Sequence, residues 1–141
     1  MSDFLVDTNI LVYAIDTKEP EKQAVTNAWL SGIENDGNRY FLSLQNIREF
    51  ISVCLKKKIE AKKIHEAAEN FANGFHLIQD NYTDSVLALK ISAEHRIPFW
   101  DALLIATMER NGVTSIVTED TGSFERHPEI TAANIFEGFL G

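Results

Sequence analysis

The 141-residue sequence has few of the residues that mark several large protein classes. Its single cysteine, Cys54, cannot form an internal disulfide, so the expected compartment is a reducing one, the cytoplasm. Cys54 itself reads as a small apolar residue on a helix. No apolar run approaches the roughly 20 residues that cross a bilayer, and no cationic start followed by an apolar stretch marks a signal peptide. Basic residues are scarce: 13 Lys and Arg stand against 21 Asp and Glu, a formal net charge of -8. That argues against a general DNA or membrane binder held by a broad basic surface. A nucleic-acid enzyme stays open, because acids gathered around a metal lower the formal charge without repelling substrate once the ion is bound. A basic protein partner also suits this charge. Internal repeats, low-complexity tracts and Pro/Gly/Ser-rich linkers are absent. With 45% hydrophobic residues and 10% aromatics, the composition fits one folded domain over residues 1–141.

What is present alternates short apolar runs with helical periods. Strands are predicted at residues 4–6, 40–42, 75–79 and 115–118, with "ANIFE" (133–137) as a last one. A short helix follows from Thr8. Val25, Ala28, Trp29 and Ile33 share a helical face that ends at the "NDG" turn (35–37). Ser43 stands at an N-cap position ahead of Ile47, Phe50, Ile51, Cys54 and Leu55. Ile64, Ala68 and Phe71 mark a further helix that closes near Gly74, and Val86, Leu89 and Ala93 mark another from Thr83. Pro98 separates that helix from residues 100–111, which Gly112 stops. Strands separated by helices argue for an α/β layered domain around a mainly parallel sheet. In such sheets ligands collect beyond the carboxyl ends of the strands.

Acids fall at those ends. In "FLVDTNILVYAID" (4–16), Asp7 interrupts an apolar run, where a carboxylate is costly unless it caps a helix or meets a cation. Asp120, with Glu119 beside it, closes the strand at 115–118. Asp101 opens the helix "WDALLIATM" on the same face as Leu104, Ile105 and Met108; capping of the first helical turn explains it as well as function does. Glu49 lies opposite Phe50, Ile51 and Cys54 on a helical wheel, and spacing alone makes it a solvated surface residue. Taken together, the acids need a counter-ion: two carboxylates ~4 Å apart repel by roughly 4 kcal/mol at an effective dielectric of ~20. All-oxygen ligation suits Mg²⁺ or Mn²⁺.

Four separated blocks carry a resemblance to PIN domains, most of all to the VapC-type ribonuclease toxins of bacterial toxin–antitoxin pairs. These are "FLVDTNILVYAID", "LSLQNIREFISV" (42–53), "IPFWDALLIATM" (97–108) and "SIVTEDTGSF" (115–124). The resemblance implies a three-layer α/β/α fold and an endoribonuclease dependent on one or two Mg²⁺ or Mn²⁺ ions. By it, Asp7 and Asp101 are core metal ligands, and Glu49 and Asp120 complete the site directly or through waters. Thr8, Asn9 and Thr118 would position ligands or phosphate, with Glu119 as the alternative ligand of the fourth block. It further implies RNA as substrate, a homodimer, and an antitoxin that donates a basic side chain to the acidic cleft.

Histidines are absent from all four blocks, and His65, His76, His95 and His127 read as surface or helix-end residues. Among cations, Arg48 is placed at the mouth of the site, or in a salt bridge with Glu49. Lys56 and Lys57 are candidates for RNA phosphates, with a solvated helix C-terminus as the alternative. Trp29, Phe50, Trp100 and Phe124 are expected mostly in the core. Two rival functions are a PIN fold that binds RNA or protein without cutting, and a haloacid-dehalogenase-like phosphatase. The phosphatase is disfavoured because Asn9 stands where its second acid belongs.

Overall fold

In the computed structural model, which describes residues 1–137, the chain alternates strands and helices throughout. The order is β1 (Asp3–Val6), α1 (Thr8–Tyr13), α2 (Pro20–Ile33), β2 (Arg39–Ser43), α3 (Leu44–Lys56), α4 (Ala61–Gly74), β3 (His76–Ile78), α5 (Tyr82–His95), α6 (Phe99–Arg110), β4 (Ser115–Val117), α7 (Thr121–Phe124) and β5 (Thr131–Ala133), then a 3₁₀ turn at Ile135–Glu137. The five strands form one sheet, β3-β2-β1-β4-β5, and every pairing is parallel. The order reverses between β1 and β4, so a crevice opens beyond their carboxyl ends.

Strand alternation splits the core into two layers. Val6 and Val117 point to one face, where α1 to α4 contribute Ile10, Trp29, Phe50 and Phe71. Leu5 and Ile116 point to the other, beneath Ala88, Ile91, Leu104 and Phe124 of α5 to α7. With both faces covered, strands β1 and β4 carry apolar cores, residues 4–6 and 116–117, and the architecture is the expected three-layer α/β/α sandwich. Cys54 packs in the first layer, fully buried. Helix α6 is the most enclosed element, with every residue from Ala102 through Met108 buried. Gly112 ends its trailing turn at φ +73, a left-handed conformation suited to glycine.

Several expectations are corrected. Helix α5 turns Val86, Leu89 and Ala93 outward and buries Asp84, Ala88 and Ile91 instead. The cause is Asp84, which closes a capping box with Asn81 and receives the Arg110 guanidinium Nε at 3.0 Å, so the row containing an acid is the one facing α6. Outward positions also hold Val25 and Ala28 of α2, and Ile51 and Leu55 of α3. The last strand lies earlier than predicted, at Thr131–Ala133, because the Asn134 side chain accepts from Phe136 N–H at 2.9 Å and bends the next residues into the 3₁₀ turn. His127 is buried, not superficial: Nε2 pairs with Glu109 at 3.0 Å and the ring packs on His95. Of the four large aromatics, Trp29, Phe50 and Phe124 are buried, whereas Trp100 is 64% exposed.

Candidate functional site

The carboxyl ends of β1 and β4 are locked side by side, with Asp7 N–H donating to Val117 O at 2.9 Å. Asp7 then serves as N-cap of α1: its Oδ1 accepts from Thr8 N–H at 2.8 Å. Its Oδ2 accepts from the Thr118 hydroxyl at 2.8 Å. The capping reading of Asp7 therefore holds, and its second oxygen is engaged by Thr118 at the end of the neighbouring strand. Burial pushes the Asp7 carboxyl up to about 6; the Thr118 and Thr8 hydrogen bonds oppose this, and the charges of Asp101 and Glu49 add to it.

A relay reaches the same place from β2 and α3. Ser43 and Asn46 cap α3 reciprocally, as the sequence signals for Ser43. Asn46 is fully buried; its Oδ1 accepts from Ser43 N–H and Oγ, and its Nδ2 donates to Thr8 Oγ1 at 3.1 Å. Thr8 Oγ1 in turn donates to Glu49 Oε2 at 3.1 Å. The second Glu49 oxygen accepts from Gln45 Nε2 at 3.0 Å, one helical turn back. Glu49 is thus half-buried and oriented by two donors, not a free surface group.

The far side is held more loosely. Asp101 lies in the first turn of α6 but does not cap it; its Oδ2 accepts from the Ser123 hydroxyl of α7 at 2.9 Å. Burial raises the Asp101 carboxyl above its usual range; the Ser123 bond opposes that, and the Asp120 and Glu49 charges reinforce it. Asp120 is exposed, and its backbone N–H donates to Thr118 Oγ1 at 3.0 Å. Its neighbour Glu119 turns away: it takes a hydrogen bond from Tyr13 Oη at 2.6 Å and an ion pair from Lys22. Burial pushes Glu119 upward, but Lys22 and Tyr13 outweigh it and hold the carboxyl below its usual range. Asn9 accepts from the Glu119 backbone N–H at 3.4 Å and so steadies this turn.

Asp7, Glu49, Asp101 and Asp120 all line one cavity of about 300 Å³. Lys57 borders it too, but its Nζ lies 3.2 Å from the buried Asp16 carboxylate. Arg48 is exposed in a neighbouring groove and forms no salt bridge among the described residues; Lys56 is exposed at the end of α3. The cavity's donors, four carboxylates with hydroxyl and amide oxygens nearby and no thiolate or imidazole, suit a hard divalent ion of the Mg²⁺ or Mn²⁺ kind. As placed, however, no three potential ligands among the described residues form a ready-made cluster around one point. Sequence reasoning missed Gln45, Asn46 and Ser123. Asn46 had a readable signal, three residues after the Ser43 cap; Ser123 had none.

The family model for the PIN domain matches residues 4–130. Among solved structures, the fold is similar to VapBC2 from Rickettsia felis bound to a DNA fragment from their promoter, with TM-score 0.69 and 19% identity, covering 94% of this chain and 98% of that one. It is similar also to DNA-bound VapBC from Salmonella typhimurium, with TM-score 0.67, 20% identity and coverage of 96% and 99%. A third similar structure is VapC20 of Mycobacterium tuberculosis, described as a Sarcin-Ricin loop cleaving toxin, with TM-score 0.64, 16% identity and coverage of 86% and 92%. At these identities the likeness speaks for the fold alone. No curated protein matches the sequence.

Proposed function

The chain belongs to the PIN domain family, and from that premise we propose that it is a Mg²⁺- or Mn²⁺-dependent endoribonuclease, the toxin of a toxin–antitoxin pair. The observation that carries this reading is the gathering of Asp7, Glu49, Asp101 and Asp120 around one cavity at the sheet's switch point. Asp7 and Asp101 would hold one or two ions, with Glu49 and Asp120 completing the set. A divalent ion held there would supply positive charge for hydrolysis of a phosphodiester. The chain's own part is to aim the donors. Thr118 and the Thr8 amide fix Asp7, the Asn46–Thr8 relay and Gln45 fix Glu49, and Ser123 fixes Asp101. Glu119, engaged by Lys22 and Tyr13, is a positioning residue for the turn that carries Asp120.

Residues 1–141 are read as one domain acting in the cytoplasm; no helix among the described residues is long and apolar enough to cross a membrane. The cavity's excess of carboxylates supports an antitoxin that inserts a basic side chain and so competes with the ion. The outward row of Val86 and Leu89 on α5, with Tyr82 beside it, supports a homodimer.

The test is incubation of the purified chain with total cellular RNA in Mg²⁺ or Mn²⁺, with new 5′ ends mapped by sequencing. Metal-dependent ends that vanish with EDTA, and in Asp7→Asn and Asp101→Asn, are the expected result. The open arrangement of the acids favours one rival, a PIN fold that binds RNA or protein without cutting. RNA binding without cleavage, unaltered by Asp7→Asn, is the outcome that selects it. The phosphatase reading loses further ground, since Asn9 is engaged with the backbone of Glu119.

A further inference from the structure

Beside the acidic cavity lies a second opening of about 470 Å³, lined by Gln45, Arg48, Glu49, Asp80, Trp100 and Leu103. Its size is within the range of ligand sites. Glu49 borders both openings, so whatever lies in the groove is next to the acids. Resting on the reading of those acids as a ribonuclease site, we infer that this groove seats the unpaired nucleobase beside the scissile phosphate, with Trp100 as the stacking surface and Arg48 as the cation for the adjoining backbone.

Three observations carry this. First, Trp100 is 64% exposed while the chain's other tryptophan, Trp29, is 4% exposed, although Trp100 directly precedes Asp101 on the most deeply buried helix. An indole left in water at that point is not explained by packing. Second, it is held in place: its carbonyl accepts from Gln45 Nε2 at 3.0 Å, the same nitrogen that donates to Glu49, and its ring makes an edge contact with Phe99 at 5.2 Å. The Trp100 backbone and the site carboxylate are therefore tied to one amide. Third, Arg48 is exposed and unpaired by any acid among the described residues, despite Glu49 and Asp80 bordering the same groove. Single-stranded RNA is recognised by this combination, an aromatic or guanidinium plane for the splayed base and a cation for the phosphate. A planar guanidinium can do both. The acidic groove wall suits a base edge that presents N–H donors.

The test uses Asp7→Asn protein, which leaves RNA uncut, carrying Trp29→Phe so that Trp100 is the sole tryptophan. Titration with a single-stranded RNA octamer is expected to quench Trp100 fluorescence, and a duplex of the same sequence is not. In the Asp7→Asn protein with both tryptophans, Trp100→Ala is expected to weaken octamer binding about tenfold by anisotropy, with Trp100→Phe keeping most of the affinity and Arg48→Ala steepening the loss at low salt. Unchanged affinity in Trp100→Ala, with no quenching while the wild-type chain still cleaves RNA, overturns the inference and leaves the ribonuclease intact. A loss confined to binding of a protein partner assigns the groove to that partner and also overturns it. Absence of both cleavage and RNA binding in every variant overturns the ribonuclease reading itself.

Discussion

The two halves of the acidic cavity are built differently. On the β1–α3 side, Asp7 and Glu49 are each fixed by two donors, and the fully buried Asn46 ties Ser43, Thr8 and the helix cap into one network. On the α6–α7 side, Asp101 has one side-chain donor and Asp120 stands in solvent. The first half is the more heavily cross-linked by hydrogen bonds, the second the less. Burial does not separate the halves, since Asp7, Glu49 and Asp101 are all half-buried and only Asp120 is exposed to water; what differs is how many hydrogen bonds aim each half-buried carboxylate. The contrast teaches that the core pair, Asp7 and Asp101, is drawn from both halves, one carboxylate aimed by two donors and the other by one.

Asp7→Asn should have the largest effect, because it strikes the fixed half at its most buried charge. Cleavage is expected to fall about a thousandfold or more, as several kcal/mol of charge stabilisation are lost. Stability should move the other way. The Asp7 carboxyl ordinarily titrates at 3.8 and is pushed to about 6 in the fold, so the folded chain binds its proton more tightly than the unfolded one. That contribution is full below about pH 4 and lost as pH rises through 6, a change of roughly 3 kcal/mol in the metal-free protein. Urea melts of metal-free Asp7→Asn should therefore exceed wild type at pH 7 and converge with it near pH 4.

Asn46→Ala removes the knot of the fixed half without touching a carboxylate. It leaves Ser43 N–H unpaired in the interior and should cost about 1–3 kcal/mol in thermal or chemical unfolding. Cleavage should fall roughly 10- to 100-fold, the effect usual for groups that orient metal ligands. Ser123→Ala is the matching change on the loose half. Its fall in rate should be smaller, near tenfold at most, with almost no loss of stability. Equal effects of the two substitutions would erase the distinction between the halves. Smallest of all, Glu119→Gln breaks a part-exposed ion pair worth about 0–1 kcal/mol and should change cleavage by less than about threefold, while Asp120→Asn should lower it far more. The reverse ranking in initial rates would make Glu119 the ligand of the fourth block.

Much of this was legible because acids interrupt apolar strands, and parallel strands bring their ends to one edge. Asp7 and Asp120 are visible that way. Glu49 was not, because a helical wheel reports which face meets the core and says nothing of a crevice at the helix's other flank. The buried face of α5 is not legible for a related reason: its buried row contains Asp84, and apolar periodicity cannot anticipate an acid buried against Arg110. Trp100 fails in the opposite sense, an apolar residue on a buried helix that the fold leaves in water. Ser123 lies on a four-residue helix whose docking is a tertiary fact with no local signature.

The most direct test of the central claim, that these acids form a divalent-ion site, is calorimetric titration of the metal-free chain with Mn²⁺ at pH 5.5 in two buffers of different ionisation heat. The expected result is saturable binding with net proton release, because Asp7 is largely protonated at that pH. Both signals should be lost in Asp7→Asn. Absence of binding, or binding with no proton release and no change in Asp7→Asn, would contradict the account.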